Sequence, residues 1–285
     1  MAAAEAAALG WTARPEVLVP LVLSATVHAV GWWRLRRRAP RHVGFARVVL
    51  ALTAWASIAL ALLSPLDRLA HALFVAHMAQ HMLLIAVAAP ALLLADPFPV
   101  IVWGLPRALR RATRRWLRRT TSLGRLWRAL TPLPLTWVAY ALILWLWHLP
   151  GPYDAALADR LVHDVEHVTF FVGAILFWWP VIGPAPHFRP AAPYGLRIVY
   201  LVLAAFHTAA LGLLLTLAPR ALYASYTAAP RVADLSAAED QVWGGVVMWG
   251  VGGAVDMLAV LLLLWRFFAA GTARPAPPIE VPRAS

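Results

Sequence analysis

The sequence predicts an all-α, polytopic membrane bundle of about seven transmembrane helices. Of its 285 residues, 62% are hydrophobic and only 13% are charged, whereas about a quarter of the residues of a soluble domain are charged. Several apolar runs reach about 20 residues, the length that a helix needs to cross a bilayer. Only helices and closed barrels satisfy their backbone hydrogen bonds in lipid. The chain has no cysteine, which excludes a disulfide framework and a thiolate metal site.

Seven apolar segments of helix length follow one another, and together they predict a single transmembrane domain over residues 1–270. Proline stands at or just beyond several of their ends, where it stops a helix. The first segment is followed by arginines rather than preceded by them, so we interpret it as an uncleaved helix and not as a signal peptide. The segments are Val17–Trp33, Phe45–Leu63, Ala70–Leu94, Leu133–Leu149, Leu161–Ile182, Leu196–Leu217 and Val242–Phe268.

The basic residues predict the orientation of the bundle. All 25 are arginines, and 20 of them lie after the first, third and fifth segments or at the C-terminal end. By the positive-inside rule the N-terminus is outside and the C-terminus is cytoplasmic. The same distribution accounts for the net charge of +12, so no nucleic acid partner is expected. The acidic residues concentrate on the opposite side, and we interpret this asymmetry as a sign of a cation site.

Two parts of the chain are expected to lie outside the membrane core. Residues 105–130 mix arginine with leucine and tryptophan, which predicts a basic helix on the cytoplasmic membrane surface. Residues 271–285 are rich in proline and are predicted to form a disordered cytoplasmic tail.

Histidines form two clusters at the predicted outer ends of helices. HALFVAHMAQHM spans His71–Met82 and HDVEH spans His163–His167. In each cluster two histidines are four residues apart, so they stack on one helix face. A lone histidine at a membrane interface, or a methionine in an apolar helix, is usually a packing residue. Six of the ten histidines at one end of the bundle instead predict a metal site where the two clusters converge.

The types of ligand narrow the choice of metal ion. Imidazole with thioether and no thiolate suits Cu(I) better than Cu(II), while imidazole alone also suits zinc or haem iron. On a helical wheel Met78 and Met82 fall near the direction of His71, and Met248 is expected to approach from the seventh helix. Glu166 is a candidate for orienting an imidazole. The candidate metal ligands are His71, His77, Met78, His81, Met82, His148, His163, Glu166, His167, Asp240 and Met248.

Other functions stay open at this point. Facing histidines also suit a haem-binding membrane protein, and Glu166 or Asp240 could act as base on a metal-bound water in a hydrolase. A metal-free assembly scaffold would need no ligand at all. No nucleotide motif and no nucleophile–base arrangement is recognisable, so we do not expect an enzyme.

Several motifs together resemble the caa3-type CtaG family of cytochrome c oxidase assembly proteins, over about residues 30–268. They are LSPLDRLAHALF (Leu63–Phe74), HMAQHMLL (His77–Leu84), WHLPGPYDAAL (Trp147–Leu157), HDVEHVTFF (His163–Phe171), FWWP (Phe177–Pro180) and EDQVWGGVVMWG (Glu239–Gly250). The copper-chaperone family that shares the CtaG name has a single helix and a cysteine motif, so this cysteine-free chain is excluded from it.

The resemblance implies a multi-pass factor of the bacterial plasma membrane that is needed to make an active haem-copper oxidase. It implies copper handling, an oxidase subunit as partner, and leaves a homo-oligomer open. The residues that match the family motifs by position are His77, Met78, Gln80, His81, His148, Asp154, His163, Glu166, His167, Asp240, Gln241 and Met248.

Overall fold

The computed structural model describes residues 10–40, 43–117, 120–230 and 234–272, and this part of the chain contains helices and no strand. The helices in chain order are α1 (Pro15–Arg36), α2 (Phe45–Leu63), α3 (Pro65–Leu69), α4 (Phe74–Leu94), α5 (Pro97–Gly104), α6 (Arg107–Trp116), α7 (Ser122–Leu130), α8 (Leu133–Trp147), α9 (Pro150–Ala158), α10 (Arg160–Ile182), α11 (Tyr194–Leu217), α12 (Ala224–Ala228) and α13 (Ala237–Thr272).

Within the described residues, six helices are long and apolar enough to cross a membrane: α1, α2, α4, α10, α11 and α13. A seventh span results if α7 and α8, which meet at 69°, are counted together. These helices coincide with the seven apolar segments, which confirms the all-α polytopic bundle. The side of the membrane on which each terminus lies stays a prediction.

Helix α4 forms the centre of the bundle. In its apolar window 72% of the residues are buried, against 11% in α1. It packs between α13, α10 and α2. The helix is α-helical to Met82 and π-helical over Leu83–Ala88. Pro90 follows and lacks the N–H that would bond Ala86, so a locally wider turn fits this sequence, and such turns are frequent at functional sites.

Short elements close the bundle at the end where α4 and α10 begin. Asp154 of α9 accepts hydrogen bonds from the backbone of Ala224 and Ser225 in α12. Gln241 of α13 accepts from Leu222 N and donates to Leu215 O. These two polar side chains, of which Gln241 is buried, join the end connections to neighbouring helices, so this end is held by specific hydrogen bonds.

The basic segment 105–130 forms two helices, α6 and α7. No residue of α6 is buried, and Leu109 and Trp116 are more than half exposed. Exposed apolar side chains beside arginines fit a surface helix, but the membrane contact itself stays a prediction. Helix α13 continues to Thr272, so the start of the predicted tail is helical. Residues 273–285 of that tail lie outside the described residues.

Candidate metal centre

The structure brings the two histidine clusters together where α4 and α10 cross. The ring centroids of His77 and His163 are 5.1 Å apart, and those of His81 and His167 are 5.4 Å apart. Within each helix the i, i+4 partners stack at 4.4 Å and 4.2 Å. All four side chains are at most 3% exposed. Four imidazoles therefore line one buried space.

Glu166 points into the same space. Its Oε2 lies 3.4 Å from His77 Nε2 and its Oε1 lies 3.6 Å from His81 Nε2. The side chain is fully buried, and neither carboxylate oxygen has a hydrogen-bond partner among the described residues. A carboxylate without donors in a buried position is strongly unfavourable unless a cation or proton accompanies it.

Two sets of three side chains place their ligand atoms within 4.8 Å of one another. One set is His77, His81 and His167, and the other is His77, His163 and Glu166. Because helical residues advance along the axis, His81 and His167 lie one turn further into the bundle than His77 and His163. The two sets are therefore successive in depth and share His77.

The hydrogen-bond network assigns the tautomer of His77. Tyr226 OH donates to Ala70 O at 2.7 Å, so its oxygen is the acceptor for His77 Nδ1 at 3.1 Å. His77 therefore carries its proton on Nδ1, and its Nε2 lone pair faces Glu166. A lone pair opposite a carboxylate is repulsive, and this arrangement suits a cation between the two atoms.

His148 lies at the edge of the site. Its Nδ1 donates to Leu144 O at 2.7 Å, which leaves Nε2 as an acceptor. Its ring centroid is 6.2 Å from that of His81, and His148 belongs to neither set of three.

His71 connects the buried site with the end of the bundle. It is exposed, and its ring lies 5.1 Å from that of the buried His163. Of the predicted ligands, His71 is therefore the one placed to meet an ion first.

An ionic network lies beside His71. Arg14 is only 3% exposed and pairs with Asp67, Asp164 and Glu16. Burial raises the pKa of the Asp67 carboxyl, whereas the charge of Arg14 and a hydrogen bond from Gln80 lower it. Gln80 Nε2 also donates to Ala61 O at 2.7 Å. The segment before α1 is thereby tied across α3, α4 and α10.

The predicted thioether ligands occupy a different side of α4. Met78 and Met82 pack toward α13, where a Cβ at Gly244 would lie 3.2 Å from Met78 Cγ and one at Gly252 would lie 3.9 Å from Met82 Sδ. Met248 is fully buried in the same apolar core. Adjacent helical residues point about 100° apart. The imidazoles thus face α10 and the methionines face α13, so the predicted ligands of α4 lie on two sides of the helix.

Asp240, another predicted ligand, uses both carboxylate oxygens in hydrogen bonds with backbone N–H groups. Its two oxygens accept hydrogen bonds from Phe74 N at 2.6 Å and Val75 N at 2.9 Å. These are N–H groups of the first turn of α4, which have no partner within that helix. The structure therefore gives Asp240 the role of a cap that fixes the start of α4.

Sequence reasoning missed three tyrosines that surround the imidazoles. Tyr153 stacks on Tyr223 at 3.9 Å and lies 5.0 Å from His77. Its OH is 3.3 Å from that of Tyr226, and Tyr223 OH donates to His148 O. Tyr153 lies in the motif WHLPGPYDAAL, so its position could have drawn attention to it. Tyr223 and Tyr226 lie in the connection between α11 and α13, which contains none of the motifs quoted above.

Searches of curated proteins and of solved structures found no match. The family of the cytochrome c oxidase caa3 assembly factor matches residues 26–270, which include every residue of the histidine cluster. This match covers most of the chain and agrees with the motifs that run from α3 to α13. The chain therefore belongs to the caa3 family of cytochrome c oxidase assembly factors.

Proposed function

We propose that this assembly factor binds copper, as Cu(I), among His77, His81, His163, His167 and Glu166 and delivers it to an oxidase subunit. The observation that carries the proposal is the contact of His77 Nε2 with Glu166 Oε2 at 3.4 Å. Both atoms are buried and neither has a hydrogen-bond partner among the described residues. A metal ion coordinated there would convert two opposed acceptors into two ligands.

The charge and donor set support a monovalent copper ion. One carboxylate and neutral imidazoles around Cu(I) give a site without net charge, which lowers the cost of burial. Zn(II) in the same place would leave one positive charge in the membrane region. Imidazole is a good ligand for copper, and this chain has no thiolate to offer. The methionines lie toward α13, so the proposed ligand set is imidazole and carboxylate.

His77 belongs to both sets of three ligands, and this supports transfer of the ion rather than permanent storage. His77 Nδ1 is engaged by Tyr226, so only Nε2 can bind metal, and it serves one ion at a time. An ion held by His77, His163 and Glu166 could exchange two ligands for His81 and His167 without leaving His77. Three ligands leave a coordination position open for a partner's side chain.

The direct test is Cu(I) titration of the purified chain in detergent against a chromophoric chelator. The variant is H77A/H81A/H163A/H167A, and the matched control is His207→Ala, which removes a half-buried histidine that packs on Trp137 of α8. We expect one Cu(I) per parent chain, the same in the control, and none in the fourfold variant.

A cellular measurement separates the alternatives. Loss of oxidase copper in cells that carry the fourfold variant would support delivery. Absence of Cu(I) binding together with normal oxidase assembly by the variant would instead indicate a metal-free scaffold. A Soret band in the purified parent would indicate haem.

A further inference from the structure

A pocket of about 440 Å³ lies at the end of the bundle opposite the histidine cluster. It is formed where α10 ends, α11 begins and the 183–193 connection joins them, with Trp127 of α7 and Leu133 of α8 completing the wall. Its volume falls in the range of small-ligand sites. The arginine distribution predicts that this end is cytoplasmic.

Basic side chains line this pocket and no acidic residue does. Arg197 is half-buried, and Arg189 and His187 are exposed. Neither arginine has a carboxylate within 4.0 Å in the part of the chain that the structure describes. Arg266 of α13 adds positive charge within Coulombic reach of Arg197. Among the described residues, Arg189 and Arg197 thus bring positive charge to the pocket without a carboxylate partner of their own.

Hydrogen bonds to backbone oxygens hold the guanidinium groups of Arg189 and Arg197 in place, and each group keeps N–H donors that are free to bind a ligand. Arg197 Nε donates to Ala192 O at 2.7 Å and Nη1 to Val181 O at 3.2 Å. Arg189 donates through Nε and Nη2 to Arg128 O. A guanidinium has five N–H donors, so three remain on each group after these bonds. Fixed guanidinium groups are well suited to phosphate oxygens.

Trp127 and Trp179 form an aromatic wall of this pocket. Trp127 and Trp179 meet edge to face at 4.7 Å, and tryptophan is enriched at the headgroup level of membrane proteins. Trp127 Nε1 is buried and has no hydrogen-bond partner among the described residues. The wall therefore offers apolar surface beside the arginine donors.

We propose that this pocket binds the phosphate group of an anionic phospholipid from the leaflet on the arginine-rich side. Basic pockets between transmembrane helices on the cytoplasmic side are known to take acidic headgroups. A bound headgroup would link Trp127 of α7 with Arg197 of α11 and so hold the basic surface segment against the bundle. The proposal does not depend on copper binding.

The test measures lipid binding to the purified full-length chain in detergent by native mass spectrometry. Cardiolipin and phosphatidylglycerol are compared with phosphatidylcholine, and inorganic phosphate is added as competitor. The variant is R189Q/R197Q, and the control is R111Q/R115Q, which removes the same charge from the exposed helix α6. We expect anionic lipid binding to fall at least about tenfold in the variant and less than about twofold in the control.

The outcomes are decisive in both directions. Equal loss in variant and control would overturn the proposal, because general surface charge would then account for binding. Binding of inorganic phosphate without anionic lipid would also overturn it, since the phosphate source would be wrong. The single variants Arg189→Gln and Arg197→Gln repeat the measurement with less disturbance, and unchanged Cu(I) binding or helical circular dichroism shows that each variant is folded.

Discussion

At the scale of single residues, Glu166 determines the character of the site. Its carboxylate is fully buried in a helix that carries His163 and His167, and it faces two Nε2 atoms at 3.4 and 3.6 Å. A purely structural glutamate in such a position would be expected to have hydrogen-bond donors. The free energy cost of this arrangement is therefore the strongest local reason to expect a bound cation.

Replacing Glu166 with glutamine should affect metal binding and stability in opposite directions. The amide removes the buried charge and can donate to His77 Nε2, so the metal-free protein should unfold about 2–4 °C higher, corresponding to about 1–2 kcal/mol. Cu(I) affinity should fall by at least about tenfold, because the charged ligand is lost. Thermal unfolding in detergent and chelator competition measure the two effects. A stability decrease with unchanged copper affinity would contradict the proposed role.

Tyr226→Phe tests the tautomer assignment. Loss of the hydroxyl removes the acceptor for His77 Nδ1–H, so the ring is no longer fixed with Nε2 toward Glu166. Cu(I) affinity should decrease by about 10–100-fold, the range found for partners of metal-bound histidine. Tyr223→Phe is the matched control, because its hydroxyl donates to the backbone oxygen of His148, a residue that is not among the five proposed Cu(I) ligands. Equal affinity of the two variants would refute the assignment.

The sequence could predict which imidazoles meet but not what surrounds them. The i, i+4 spacing of His77 with His81 and of His163 with His167 already places each pair on one helix face. The face that Met78 presents depends on the rotation of α4 between α10 and α13, which tertiary packing sets. The bond between His77 and Tyr226 joins residues 149 positions apart, so no local pattern contains it.

At the scale of helices, the orientation of α4 is the property on which the site depends. Asp240 of α13 holds its first turn, and Gln80 holds its middle to α2 and to Asp67 of α3. The π-helical stretch begins one residue after Met82. The two histidines therefore lie in a regular α-helical section that is fixed near its start and along its length.

Asp240→Ala separates a capping role from a ligand role. If Asp240 is a cap, its loss should reduce the free energy of unfolding by about 0.5–2 kcal/mol and weaken Cu(I) binding only as far as α4 shifts. Glu239→Ala is the neighbouring control, since Glu239 bonds to Ser236 at the exposed start of α13. Unchanged stability with complete loss of copper would show instead that Asp240 binds the metal.

The hydropathy of the sequence was sufficient to locate the long helices, but it did not reveal the short ones. The predicted segment Phe45–Leu63 matches α2, and Leu161–Ile182 differs from α10 by one residue. The third segment was expected to begin at Ala70, but α4 begins at Phe74 because residues 70–73 form a turn after α3. Helices α9 and α12 are too short to show an apolar period, and contacts with each other stabilise them.

At the scale of the whole molecule, the two ends of the bundle differ in charge and in what they can bind. One end has buried imidazoles, a buried carboxylate and the Asp67–Arg14–Asp164 network, which suits a cation. At the other end Arg189 and Arg197 have no carboxylate within 4.0 Å among the described residues, which suits an anion. This division follows from the same charge asymmetry from which the sequence predicts membrane orientation.

The orientation itself can be measured cleanly because the chain contains no cysteine. Ala158→Cys, at the exposed end of α9, and Thr120→Cys, exposed between α6 and α7, place one thiol at each end of the bundle. On spheroplasts a membrane-impermeant maleimide should label residue 158 at once and residue 120 only after permeabilisation. The cysteine-free parent is the control for background. The opposite labelling pattern would place the histidine cluster in the cytoplasm, where copper would have to be received from an intracellular donor.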